Sequence, residues 1–254
     1  MMIMNGIRRI RRRYPIIKQH DGKRKYSTTN KTTEQEKNKE KYNIIILDTE
    51  TTGRSSKHDF VIELAAVRIV NHQLIGQYAS LINVPKVLTQ ENINIHNISN
   101  EILNFAPEEK DVFEAFKAFI QNYQREFEET VIVGHNIAFD MRFINTAYER
   151  LEMEKIENDT ICTMQIAKRL IKDPPSYSLN DLTKHVGLPI NTQAHRAMPD
   201  VNVTSRMWKY LYDLSAEQLG FQPPISFFNQ LAKVKISEAS KFIARYKRTY
   251  KETL

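Results

Sequence analysis

The sequence predicts an α/β protein, a mixed sheet covered by helices, and three observations carry that prediction. The aliphatic run Ile44 to Leu47 reads as a strand buried on both faces. Three strand-like segments come first and an alternation of strand and helix comes after them, an order expected of a mixed sheet. Hydrophobic residues make up 41% of the 254. That supports one sizeable core, and no apolar run approaches the length of a membrane span.

The elements follow in order. Residues 1–42 carry 13 Lys/Arg against 4 Asp/Glu, whereas the remainder carries 24 against 26, so the net charge of +7 belongs to the arm and not to the body. The first 30 residues are cationic, poor in acids and contain a Ser/Thr cluster. That composition matches a mitochondrial transit peptide, making the matrix the expected location. The alternative is a basic arm on nucleic-acid phosphates in a cytoplasmic or nuclear protein. "NKTTEQEKNKEK" reads as a polar linker. Strands are expected at 43–49, 60–70 and 75–84, forming an antiparallel meander. A helix is expected in "EEKDVFEAFKAFIQNYQREF", where Val112, Phe113, Phe116, Phe119 and Ile120 fall at helical spacing.

"TVIVGHN" predicts a short strand ending at Gly134, with the helix "IAFDMRFINTAYERL" directly behind it. A strand near 156–160 leads into a helix over 161–171, stopped by Pro174 and Pro175. The single cysteine, Cys162, is placed in the packing of that helix. It has no disulfide partner within the chain, which points to a reducing compartment. "SLNDLTKHVG" and "PDVNVTSRMWKYLYDL" predict two further helices. Residues 215–254 read as a basic helical extension broken by Pro223 and Pro224, with Phe242, Tyr246 and Tyr250 on one face. That stripe either docks on the core or helps hold nucleic acid. The expected division is thus 1–42 leader and linker, 43–214 main domain, 215–254 extension.

The chemistry begins at "NIIILDTETTGR". Strand side chains alternate, so Asp48 and Glu50 project to one face, roughly 7 Å apart along the strand. Two neighbouring buried carboxylates repel each other and resist desolvation, which a shared proton, paired cations or bound metal relieves. Arg54 is the nearest base in sequence. Asp140 sits early in a helix that follows a strand, where α/β proteins place their sites. His195 lies in the loop before the last core helix and Asp200 in its first turns, a placement that Pro199 supports because proline is tolerated at a helix start.

Taken in order, "DTETTG", "GHNIAFD" and "HRAMPD" resemble the three motifs of the DEDDh 3′–5′ exonuclease family, the group containing the proofreading subunit of bacterial DNA polymerase III. The resemblance covers about 43–214, including "INIHNISNEILNFAP" and "YSLNDLTKHVGLP". It implies an RNase H-like fold, a five-stranded mixed sheet flanked by helices. It also implies two Mg²⁺ or Mn²⁺ ions, which carboxylate oxygens suit and which, roughly 4 Å apart, serve phosphodiester hydrolysis. By resemblance, Asp48 bridges both ions, Glu50 and Asp200 hold the one carrying the nucleophilic water, and Asp140 holds the other. The resemblance makes His195 the general base, a role that suits an imidazole side chain. The same resemblance implies a pocket for the terminal nucleotide, in which Thr51 would meet the 3′ hydroxyl while His96 and Phe139 would contact the sugar and base. His135 supports the site by hydrogen bonding. Pro199 departs from the residue more usual in the family.

The expected activity is removal of single nucleotides from the 3′ end of single-stranded DNA or RNA, with the first motif tilting toward DNA. RNA trimming, a non-catalytic nucleic-acid-binding protein and an RNase H-like endonuclease are the alternatives. A polymerase or another nucleic-acid enzyme is the expected protein partner, with no membrane association.

Overall fold

The computed structural model describes residues 43–122, 130–190 and 195–251. The leader and linker lie outside the described residues. The strands are β1 Asn43–Thr51, β2 Val61–Val70, β3 Gln73–Leu81, β4 Val131–Gly134 and β5 Thr160–Cys162. They form one sheet in the order β3-β2-β1-β4-β5. β1 pairs antiparallel with β2 and β2 with β3, whereas β1–β4 and β4–β5 are parallel. The expected meander and mixed sheet are both present.

Alternation along β1 sorts its side chains onto the two faces. Ile45 and Leu47 join the core built with helices α3 (Glu109–Gln121) and α4 (Ala138–Arg150). Ile44 and Ile46 join the core on the other face, built with α5 (Thr163–Leu170) and α7 (Ala197–Leu219). The central strand is therefore buried on both sides, as its aliphatic run requires. Asp48 and Glu50 continue the even-numbered series, which directs them toward α7.

Strand limits differ from the expected ones for local reasons. β3 starts at Gln73 rather than 75 because Asn71 and His72 both take left-handed backbone, φ 47° and 65°, closing a tight two-residue hairpin. β5 falls at Thr160–Cys162, not near 156–160. Its pairing with Ile132–Gly134 of β4 decides this, while Asn158 is engaged by its side chain to the Thr130 carbonyl. Cys162 ends that strand and caps α5, so it is not inside the helix. Two short helices, α1 Gln90–His96 and α2 Asn100–Leu103, occupy the connection after β3. α1 opens on a reciprocal cap between Thr89 and Asn92.

α6 (Leu179–His185) is capped by Ser178, whose side chain accepts from the Asp181 N–H. α7 runs without a break to Leu219 and stops at Gly220, whose φ of 82° favours glycine. The division drawn after residue 214 thus falls inside a helix. α8 (Ile225–Lys233) and α9 (Ala239–Lys251) complete the chain's described elements. Phe227, Phe228, Leu231 and Ile243 from these helices are buried in the same core as Ile44, Ile46 and Trp208. Phe242 and Tyr246 pack against that core, and Tyr250 stacks on Phe221 at 4.3 Å. The aromatic stripe is docked.

Candidate active site

The site lies where β1 runs out between β2 and β4. One carboxylate oxygen each from Asp48, Glu50 and Asp200 lies within 4.8 Å of the others. Strand alternation supplies the first two. The third comes from the first turn of α7, where Pro199 sits at a position whose N–H no intrahelical bond requires. Asp140, in the first turn of α4, approaches from the opposite face of the sheet. Its Oδ1 accepts two hydrogen bonds from Thr49, from the backbone N–H at 3.0 Å and the hydroxyl at 2.7 Å. The four acids of the three motifs thus share one electrostatic environment, since the charge of Asp140 bears on both Asp48 and Glu50.

That environment is hostile to negative charge. Burial, then repulsion from Asp140, Glu50 and Asp200, holds the Asp48 carboxyl well above the usual range. Glu50 is pushed up to about 8 by burial and by the charges of Glu63, Asp200 and Asp140, with Arg196 offsetting part of the effect. Asp140 is pushed up to about 7 by burial, against the opposing hydrogen bonds from Thr49. Arg54 does not relieve the cluster; it is exposed on the loop after β1. The donor set is all oxygen, close-set and, among the described residues, short of countercharge, which fits a hard divalent cation. Asp48, Glu50 and Asp200 are the residues that could hold one, with Asp140 adjacent.

His195 stands at the edge of the cluster in left-handed backbone, φ 64°. Its backbone N–H donates to Oδ2 of Asp200 at 2.9 Å, and its side chain is exposed. His96 is buried at 2% exposure. Its Nδ1 accepts from the Ile98 N–H at 3.1 Å, so the neutral ring carries its proton on Nε2. Among the described residues that Nε2–H finds no acceptor. Burial, then the charges of Arg196 and His195, outweighs the pull of Glu63 and holds the His96 pKa below its ordinary value. A buried donor without an acceptor among the described residues, within the field of these three residues, is placed to receive one more oxygen.

The remaining residues brought forward by the sequence divide. Thr51 is half-buried beside the cluster and donates its hydroxyl to the Gly53 carbonyl at 2.6 Å. Phe139 is half-buried; its ring lies 4.8 Å from that of Phe143 and packs against the core. The Arg142 guanidinium lies 5.7 Å from the same ring. His135 is fully engaged within the fold. Burial pushes its pKa down to about 4, so the ring is neutral. Because the Tyr177 carbonyl, 3.0 Å from Nε2, can only accept, Nε2 carries the proton and Nδ1 accepts from the Thr163 hydroxyl at 2.9 Å.

Two features lie outside the three motifs. Glu63, on β2 directly opposite Glu50, is a fifth acid near the cluster. It is bound side-on by Arg196, Nε to Oε2 at 3.0 Å and Nη2 to Oε1 at 2.8 Å, and it accepts the Ala197 N–H at 3.0 Å. A charged residue inside the apolar run "FVIELAAVRIV" is the one sequence signal for it. The second is Asp59, whose carboxylate accepts from the Ser55 N–H, the Thr52 hydroxyl and the Lys86 ammonium. It shapes the turn after Thr51.

A mixed RNase H-like sheet with converging acids at the end of its central strand defines the nuclease class of this fold. The chain belongs to the RNase_T exonuclease family, whose model matches residues 45–207. It is 33% identical over 176 residues to the DNA polymerase III PolC-type of Oceanobacillus iheyensis. To the same protein of Pediococcus pentosaceus it is 37% identical over 174 residues. These matches take in 69% and 68% of this chain, but the chain spans only 12% of either polymerase. Among solved structures, E. coli exonuclease I in complex with a dT13 oligonucleotide superposes with a TM-score of 0.62 at 19% identity, over 75% of this chain and 43% of that one. Exonuclease X in complex with 5′ overhanging duplex DNA gives 0.53 at 23% identity, over 68% and 93%. At those identities the likeness concerns the fold alone.

Proposed function

We propose that the protein is a 3′–5′ exonuclease that hydrolyses the terminal phosphodiester bond of single-stranded nucleic acid, DNA in preference to RNA, and releases mononucleotides. The observation that carries this reading is the meeting of Asp48, Glu50 and Asp200 oxygens within 4.8 Å, in a chain of the exonuclease family. Asp48, Glu50, Asp140 and Asp200 would hold two Mg²⁺ or Mn²⁺ ions. When bound, such ions neutralise phosphate oxygens and make coordinated water acidic.

The chain's own groups do the rest. His195 accepts the proton of the attacking water as its oxygen bonds to phosphorus and the bond from phosphorus to the upstream 3′ oxygen breaks. His96 gives its Nε2–H, which has no acceptor among the described residues, to an oxygen of the terminal nucleotide. Thr51 contacts the 3′ hydroxyl, and Phe139 offers a ring edge to sugar or base. The PolC-type relatives support a polymerase, or another nucleic-acid enzyme, as the protein partner. Residues 1–42 would direct the chain to the mitochondrial matrix, and a diffuse signal from their fusion to a fluorescent reporter would reject that.

The test uses 5′-labelled single strands, as DNA and as RNA, with Mg²⁺, Mn²⁺ or EDTA. The expected result is a ladder shortening from the 3′ end, abolished by EDTA and by Asp48→Ala. His195→Ala should lose on the order of 10²–10⁴ in rate while still binding metal. Nicking of closed circles, or undiminished activity of Asp48→Ala, overturns the reading.

A further inference from the structure

We propose that Glu63 and Arg196 form a latch that sets the position of the His195 imidazole, making both positioning residues; this rests on the reading of His195 as proton acceptor. Glu63 is a carboxylate in the interior of a strand at 6% exposure. A charge so buried persists only when paired and hydrogen-bonded. The bonds it accepts come from two successive residues, Arg196 and Ala197, and these immediately follow His195.

The geometry ties a loop to a sheet. Arg196 presents Nε and Nη2 to the two oxygens of Glu63, a fork that lysine does not reproduce. His195 itself occupies left-handed backbone, a conformation that disfavours a residue with a Cβ and that contacts on either side help to maintain. It is held on both sides. Its own N–H is fixed on Asp200 Oδ2, and the two residues after it are fixed on Glu63.

Glu63 is also the register partner of Glu50 across β1 and β2. The latch therefore refers the histidine to the strand pair that carries two of the acids, and not only to the helix that carries the third. With three donors already on its oxygens, Glu63 is placed to orient and not to take a ligand.

Arg196→Lys keeps the charge and removes the fork, and Glu63→Gln keeps the shape and removes the charge. Both are made in the full chain, with folding checked by thermal melts, so that one variant serves if the other does not fold. In metal-free protein, amide exchange at His195 and Ala197 is expected to accelerate at least tenfold in either variant. In turnover, kcat should fall about 10- to 100-fold in either variant with KM changed less than about threefold, and Mn²⁺ affinity should change less than about threefold in Arg196→Lys, which leaves the net charge beside the acids as it was. Combined with His195→Ala, Arg196→Lys should cost nothing more, because the residue it positions is gone.

Unchanged exchange and unchanged kcat would overturn the latch. So would a loss of Mn²⁺ affinity together with a further rate loss on top of His195→Ala, since the pair would then act through the acids. Amide exchange needs no turnover, so a wild-type protein without nuclease activity would sink the role assigned to His195 while exchange still decides whether the loop is held.

Discussion

Thr49 gives both its backbone N–H and its hydroxyl to the same oxygen of Asp140, joining β1 to a helix 91 residues away. The odd-numbered face of β1 is thereby used to steady an acid that serves the even-numbered face. Thr49→Val keeps the side-chain shape and removes one hydrogen bond to Asp140, a loss of about 1.5–3 kcal/mol where that carboxyl is ionised and about 0.5–1.5 kcal/mol where it is protonated. Chemical denaturation should report that loss, and exonuclease turnover should fall while Asp48 and Glu50 remain in place. A stability unchanged within about 0.5 kcal/mol would show that the hydroxyl bond contributes nothing net.

The turn after Thr51 admits no side chain at Gly53. A Cβ there would stand 2.5 Å from Oδ2 of Asp59. Asp59 has little freedom to withdraw, because Thr52, the Ser55 N–H and Lys86 all bond it. Burial raises its pKa, but these bonds outweigh burial and leave the carboxyl below its ordinary value. Gly53→Ala should cost roughly 1–3 kcal/mol as an overpacking change. It should also lower activity by displacing the Gly53 carbonyl that Thr51 bonds. Normal melting and normal turnover would contradict this.

The acid cluster makes the metal-free protein sensitive to base. Glu50 has a folded pKa of about 8 against an ordinary 4.5, so the folded state binds more protons than the unfolded one between those values. Stability therefore falls as pH rises from 4.5 through about 8, the reverse of the usual behaviour of a paired carboxylate. Thermal melts in EDTA should show this slope, Glu50→Gln should lessen it while Asp48 and Asp140 keep their share, and Mn²⁺ should offset it by binding the folded state. A stability difference between wild type and Glu50→Gln that is the same at about pH 5 and about pH 8 would argue that this carboxyl is otherwise neutralised.

His135 acts in the opposite sense. Its pKa is about 4 when folded against 6.5 ordinarily, so protons bind preferentially to the unfolded chain. The stability held above pH 6.5 is lost as pH falls toward 4, by roughly 3 kcal/mol for a shift of this size. The difference between wild type and His135→Gln, followed by denaturation from about pH 7 to about pH 4, isolates this contribution. A constant difference across that range would mean that the ring is not held neutral.

Much of the fold and of the site is legible along the chain. Four aliphatics running into Asp48 and Glu50 announce a strand buried on both faces with two acids on one side, because strand alternation is a local property. Pro199 marks a helix start, and α7 begins two residues before it. The strand expected near 156–160 lies a few residues further on, since its limits depend on pairing with β4, which no local signal encodes. The same holds for the division after residue 214. Pro223 and Pro224 announce a break, but only the packing of Phe227, Phe228 and Ile243 shows that α8 and α9 complete the core.

The sequence by itself determined which residue types stand at which intervals: the paired acids of β1, the aspartates at two helix starts, and the histidine five residues before the last of them. Only the tertiary structure decided that Glu63 is bound by Arg196 and directed at the loop carrying His195. It alone decided that Thr49 steadies Asp140 from the opposite face, and that the His96 Nε2–H finds no acceptor among the described residues. Periodicity and capping act over a few residues and can be read along the chain. Pairings across 91 or 133 residues exist only once the sheet order brings those segments side by side.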